Sequence, residues 1–230
     1  MTTTGIGASI EVAADGSVAA LMRSTSERWA AAINHRFVRE LFADTVDDAV
    51  MRNYLVQDYQ FFESFLSMLG ACVAHADELD AKLWFARQLG MLVADEDTYF
   101  VDSFVELGVD PSDYLRPELA APTARFRDLM DSAVDSESYP QLLVVLVVAE
   151  LLYLDWAESQ EEVPQRQVHR GWIDLHRSEA FRGWVQFLVY ELERVFPTEN
   201  DHGSEAEDLA RTWRRAVDLE CAFFDNVYDD

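Results

Sequence analysis

Glycine, proline, cysteine and basic residues are all scarce in this chain, and each shortage closes off a class of protein. With 9 glycines and 6 prolines in 230 residues, there are too few turn formers for an all-β fold of many short strands. Two cysteines, Cys72 and Cys221, sit among aliphatic and aromatic neighbours without CxxC spacing. The expectation is a pair of reduced, buried thiols rather than a disulfide framework or a zinc site. Basic residues number 18 against 43 acidic ones, a formal charge of −25. A surface that acidic repels nucleic-acid phosphates and anionic lipid headgroups, so neither nucleic acid nor membrane is expected as a partner. No basic segment followed by an apolar one opens the chain, so no secretory signal is read. The longest apolar stretch, residues 142–157, is interrupted by Glu150 and Asp155 and reads as too short and too acidic to span a bilayer. A soluble cytoplasmic protein is expected.

Familiar catalytic signatures are missing as well. There is no GxGxxG, no P-loop and no GxSxG, which removes the usual phosphate cradles and the serine-hydrolase elbow. The five histidines, His35, His75, His169, His176 and His202, include no HExxH. A di-iron site in a helical bundle wants Glu-x-x-His pairs, yet the acidic stretch ADEDTYFVD (94–102) offers Asp95, Glu96, Asp97 and Asp102 with no histidine. His35 is a candidate axial haem ligand, but a lone histidine is more often a satisfied polar group. Neither cysteine has an assignable histidine partner that would make it a nucleophile. No metal and no cofactor is predicted.

What the chain does have is apolar material, half of it by count, enough for a sizeable core in one domain. Residues 1–18, rich in Thr, Gly, Ala and Ser, read as a disordered or loose tail. From 19 to 230 one all-α domain is expected, a bundle of about seven to eight helices. Apolar residues recur at three- and four-residue intervals over 24–42, 46–76 and 79–107, the last ending at Gly108 with Pro111 beyond. Further helices are predicted over 122–135, 141–162, 165–176 and 178–196. A last one covers 204–226, where Ser204 and Glu207 have capping-box spacing.

Against that periodicity three acids stand out. Glu150 lies in LLVVLVVAELLYLDWA, a helix apolar nearly all round, which implies burial on every side. A carboxyl there has a raised pKa and suits proton transfer, and Tyr153 shares its face. The plainer alternative is a glutamate satisfied by a neighbouring helix. Asp58, four residues after Tyr54 and three before Phe61, places an acid beside flat rings, an arrangement suited to a heteroaromatic ligand with an amino group. A salt-bridged surface acid is the alternative there. Glu220 precedes Phe223 and Phe224 by one turn. Three acids on three helices, each flanked by aromatics, argue for a shared pocket better than any one alone.

The segments HRFV (35–38), YLVQDYQFF (54–62), AELLY (149–153), WIDLHRSEAF (172–181) and LECAFF (219–224) follow the order seen in the TenA/thiaminase II family. The chain resembles that family over roughly residues 25–228. The resemblance implies a haem-oxygenase-like helical bundle and a small pyrimidine as substrate. It makes Asp58 similar to the aspartate that holds the amino group of the pyrimidine ring. It makes Glu220 similar to the C-terminal glutamate that handles the proton. Tyr153, with Tyr54, Phe61 and Phe224, is expected to line the pocket. His176 stands where the family usually has a tyrosine. The thiaminase nucleophile, a cysteine on the AELLY helix, is absent: Ala149 and Glu150 occupy that point.

This pattern resembles the subfamily in which a glutamate replaces the cysteine, associated with hydrolysis of amino- or formylaminomethyl-pyrimidines in thiamin salvage. Glu150 and Glu220 are then expected to activate water and protonate the leaving amine. A homo-oligomer, dimer or tetramer, is implied. The remaining readings are a metal-dependent oxygenase or PQQ-synthesis-like enzyme on the same fold, and a non-catalytic binder of a heteroaromatic ligand. The family's older description as a transcriptional activator finds no helix-turn-helix in this sequence and the wrong charge for DNA. Arg125 and the acidic run at 95–97 receive no role.

Overall fold

The computed structural model describes residues 10–92, 97–197 and 203–228, and these form helices with no strand among them. In chain order they are α1 (Ser17–Ser24), α2 (Ser26–Ile33), α3 (Arg36–Phe42), α4 (Asp48–Asp58), a 3₁₀ turn (Tyr59–Phe61), α5 (Phe62–His75) and α6 (Leu79–Met91). They continue with α7 (Asp97–Leu107), α8 (Pro111–Leu115), α9 (Ala121–Asp135), α10 (Tyr139–Ala157), α11 (Gln167–Leu175), α12 (Glu179–Val195) and α13 (Gly203–Asn226). Each expected helical region is helical, several as consecutive shorter segments. Residues 95 and 96 and the side chain of Asp97 lie outside what is described, as does His202.

The breaks have identifiable causes. Between α1 and α2, Thr25 sits at φ −121° and ψ 15°, and its hydroxyl accepts from the Trp213 indole N–H at 3.0 Å. Before α3, His35 is extended and its Nδ1 accepts the Phe37 N–H at 3.1 Å, capping the new helix. At Gly108, φ is +67°, and Val109 N–H reaches back to Phe104 O at 2.8 Å, the close expected of a helix ending at a glycine. α13 begins at Gly203, one residue ahead of the expected Ser204 cap.

Two expectations are corrected. Residues 10–18, read as part of a loose tail, pack onto α12: Ile10, Val12 and Val18 are buried. The Glu193 carboxylate accepts the N–H groups of Ser17 and Val18 at 2.8 and 3.0 Å. It lies so close to Gly16 that a Cβ there would meet it at 2.6 Å, so a larger residue at this position has to displace the Glu193 carboxylate. Second, α10 is by length and composition able to cross a membrane, with a mean hydropathy of 1.6. Its apolarity has another cause, because it is the central helix and is covered by α2, α5, α9, α12 and α13. Side chains from Leu142 to Leu146 are fully buried on all sides, which is why the strand-free bundle needs one helix with no polar face. Both thiols are free and buried, as expected.

Candidate active site

The central position of α10 decides where a site can form. Along its length, Ala149, Glu150 and Tyr153 face a cavity of about 590 Å³, mouth included. Glu150 and Tyr153, three residues apart, lie on one face as the helical repeat requires. The end of α4 contributes Asp58, the 3₁₀ turn Phe61, and α5 Phe62 and Phe65. The 3₁₀ turn tightens the chain just after Asp58, so the two halves of the expected 46–76 helix present different faces to the same hollow. α9 adds Phe126 and Met130, α7 adds Phe100, and α13 adds Glu220. Trp172 from α11, His176 just beyond it and Leu92 complete the lining.

The three acids singled out from the sequence therefore share one cavity, although they come from helices far apart in the chain. Glu150 and Glu220 are buried, at 8% and 3% exposure, and among the described residues the lining includes no lysine or arginine. Burial and the neighbouring Asp58 and Glu150 carboxylates push the Glu220 pKa well above the usual carboxylate range. A contrasting acid shows what an ordinary structural solution looks like. Glu191 on α12, equally buried, accepts the Tyr139 hydroxyl at 2.7 Å and Arg194 at 2.8 Å. It carries a cation at its side, whereas Glu220 faces like charges.

His176 is buried, and burial lowers its pKa to about 4, so the ring is neutral at physiological pH. Its Nδ1 lies 2.8 Å from the Trp172 carbonyl. A carbonyl only accepts, so Nδ1 carries the proton and Nε2 is left as an acceptor. The ring stands edge-on to Trp172 with centroids 4.3 Å apart and packs on Tyr153 at 4.9 Å.

Two expected lining residues are placed differently. Tyr54 and Phe224 are fully buried and form a layer behind the cavity wall. Tyr54 stacks on Phe37 at 4.2 Å, and Phe224 stacks against both Phe37 and Tyr54 at 5.8 and 6.3 Å. Tyr54 donates or accepts with Tyr153 at 3.0 Å and receives the Trp172 indole N–H at 3.0 Å. Its hydroxyl is turned to these partners, which removes it from the lining. Conversely, the sequence did not single out Phe62, Phe65, Phe100, Phe126, Met130 or Trp172 as lining. On a helix face, an aromatic that lines a pocket has the same periodicity as one that fills a core.

Candidates outside the cavity have structural explanations. His35 caps α3 and its Nε2 lies 3.1 Å from Asp225. Burial pushes the Cys72 thiol up, and it pushes Cys221 up to about 11, so neither is a thiolate at neutral pH. Among the described residues, no three His, Cys, Asp or Glu side chains gather as a metal-binding set. Arg125 lies on α9 outside the lining.

Comparison with known proteins follows the same line. The family model described as TENA/THI-4/PQQC family matches residues 22–230. No curated protein matches the sequence significantly. Solved structures share the fold. A TenA family transcription regulator from Silicibacter sp. superposes with a TM-score of 0.83 at 19% identity, covering 93% of this chain and 97% of that one. A TenA homologue from Pyrococcus furiosus gives 0.80 at 20% identity, covering 92% and 100%. A putative TenA-like thiaminase from Sulfolobus solfataricus gives 0.77 at 17% identity, covering 92% and 95%. A domain with a haem-oxygenase-like fold from Shewanella denitrificans gives 0.69 at 14% identity, covering 92% and 91%.

Proposed function

The chain belongs to the TENA/THI-4/PQQC family, and from that premise we propose that it is a hydrolase acting on aminomethyl- or formylaminomethyl-pyrimidine fragments of thiamin. The observation that carries the proposal is the set of three carboxyls, Asp58, Glu150 and Glu220, around one largely aromatic cavity with no lysine or arginine among the described residues of its lining. Such a cavity suits a flat heteroaromatic ring bearing amino groups and disfavours a phosphorylated one. The similarity to a protein from Sulfolobus solfataricus described as a putative TenA-like thiaminase supports thiamin chemistry in general terms.

In this reading Asp58 accepts the ring amino N–H, which orients the pyrimidine. Phe61 packs on its face, and Tyr153 borders its edge. Glu150 takes a proton from water as its oxygen attacks the exocyclic methylene carbon. The methylene carbon–nitrogen bond breaks with its electron pair leaving on nitrogen, and Glu220 supplies the proton that makes ammonia a leaving group. The products are the hydroxymethyl pyrimidine and ammonia, and from the formylaminomethyl substrate the same step releases formamide in place of ammonia. The raised pKa of Glu220 suits this role, because a general acid must hold its proton at working pH. Ala149 in the lining leaves no thiol for a covalent route on α10, so water is the nucleophile.

The test is incubation of purified protein with aminomethyl-pyrimidine, formylaminomethyl-pyrimidine and thiamin, with products followed by chromatography. Hydroxymethylpyrimidine is expected from the first two and not from thiamin. Turnover of thiamin alone overturns the proposal. Binding without product from any of the three favours a non-catalytic binder.

A further inference from the structure

The hydrogen bonds behind the cavity wall have a direction that the chemistry of their members fixes. The Trp172 indole N–H lies 3.0 Å from the Tyr54 hydroxyl, and an indole N–H can only donate. The Tyr54 oxygen therefore accepts there. Tyr54 is fully buried, and its other hydroxyl contact is the Tyr153 oxygen at 3.0 Å. A buried O–H that points at no acceptor is costly, so Tyr54 donates to Tyr153. The Tyr153 oxygen now accepts from inside the wall, and its own proton is left to turn toward the cavity that Tyr153 lines. Burial holds both hydroxyls protonated, with each pKa raised well above the usual tyrosine range.

We infer that Trp172 and Tyr54 are positioning residues that fix the Tyr153 hydroxyl as a hydrogen-bond donor into the cavity, so that the site selects ligands offering an acceptor, such as a ring nitrogen, at that point. The other polar lining groups sharpen the selection. The indole N–H of Trp172 is committed to Tyr54, and His176 Nδ1–H is committed to the Trp172 carbonyl. His176 Nε2 is an acceptor. Among the described lining groups the Tyr153 hydroxyl and the protonated Glu220 carboxyl can donate, and Glu220 gives up its proton with pH while burial holds that of Tyr153. Trp172 thus sets opposite polarities on two neighbours, through its side chain on Tyr153 and through its backbone on His176.

The choice of a pyrimidine as probe rests on the function proposed above; the polarity of the chain does not. The probe is 4-amino-5-hydroxymethyl-2-methylpyrimidine, compared by calorimetry with the two pyridines in which one ring nitrogen is replaced by CH. Wild type is expected to bind one pyridine about tenfold more weakly than the pyrimidine, the value of one lost hydrogen bond. Tyr153→Phe abolishes that difference, and Tyr54→Phe and Trp172→Phe reduce it. A merely structural role weakens all three ligands alike. Equal discrimination in wild type and all three variants overturns the inference.

A ligand-free readout stands beside it. The indole N–H resonance of Trp172 is expected to shift on Tyr153→Phe, which removes the acceptor at the far end of the relay. An unmoved resonance in a folded variant overturns the relay whether or not any pyrimidine binds. Loss of turnover in wild type with the resonance shift intact counts against the function proposed above and leaves the relay standing. Should Trp172→Phe fail to fold, the nearly isosteric Tyr54→Phe interrupts the same chain.

Discussion

At the scale of single residues, the site is a cluster of groups held in unusual protonation states. Neutral His176, with a pKa lowered to about 4 from the ordinary 6.5, binds its proton more readily in the unfolded chain than in the folded one. Its contribution to stability is intact above pH 6.5 and falls away as pH drops toward 4, by about 3 kcal/mol at most. Denaturant titrations across that window should show His176→Gln flatter than wild type; parallel curves would contradict the assignment. Glu220 runs the other way. Its raised folded pKa means that stability is fully present below the unfolded value and is lost as pH rises through the folded one. Because Asp58 is one cause of that rise, Asp58→Asn lets the Glu220 pKa fall. The basic limb of kcat/KM should then move to lower pH, alongside a KM raised about tenfold by the lost contact to the ring amino group. A limb that stays in place would mean Glu220 is not the titrating acid. The acids were legible in the sequence because a carboxylate on an apolar face breaks a pattern. Trp172 and the lining phenylalanines break none. Tyr54 looked like lining because its helix face is right, but side-chain direction and hydrogen-bond partners decide the rest.

At the scale of elements, the helices were legible and their joints were not. Pro111 and Gly108 announced the end of α7, whereas Thr25, Asn34 and the 3₁₀ turn at 59–61 break the chain without glycine or proline. The break at Thr25 meets a long-range partner, Trp213 reaching it from α13, which no local pattern encodes, while the one after Asn34 is closed by the neighbouring His35 cap. The start of α1 is a second case. Sequence composition around it suggests disorder, yet Glu193 on α12 satisfies two N–H groups that α1 cannot satisfy itself. Glu193→Ala should cost about 1 kcal/mol, the value of a helix cap, and should speed amide exchange at Ser17 and Val18 while sparing α10. Unchanged exchange at those two amides would show that the contact does not hold α1 in place.

Across the whole molecule, one apolar helix organises both the core and the site. α10 is buried by its neighbours over most of its length, and where it meets α4, α11 and α13 the packing leaves a hollow that carries the acids. Because the core holds α10 rigidly, Glu150 is positioned by packing rather than by a loop, as an efficient acid–base pair requires. The same burial means that Glu150→Gln, nearly isosteric, should leave the fold intact. The most direct measurement is turnover of aminomethyl-pyrimidine by Glu150→Gln, paired with calorimetric binding of the hydroxymethyl product to the same variant. Turnover is expected to fall by at least about a hundredfold while product affinity stays within about threefold of wild type. Wild-type turnover in Glu150→Gln, with binding unchanged, would contradict that expectation.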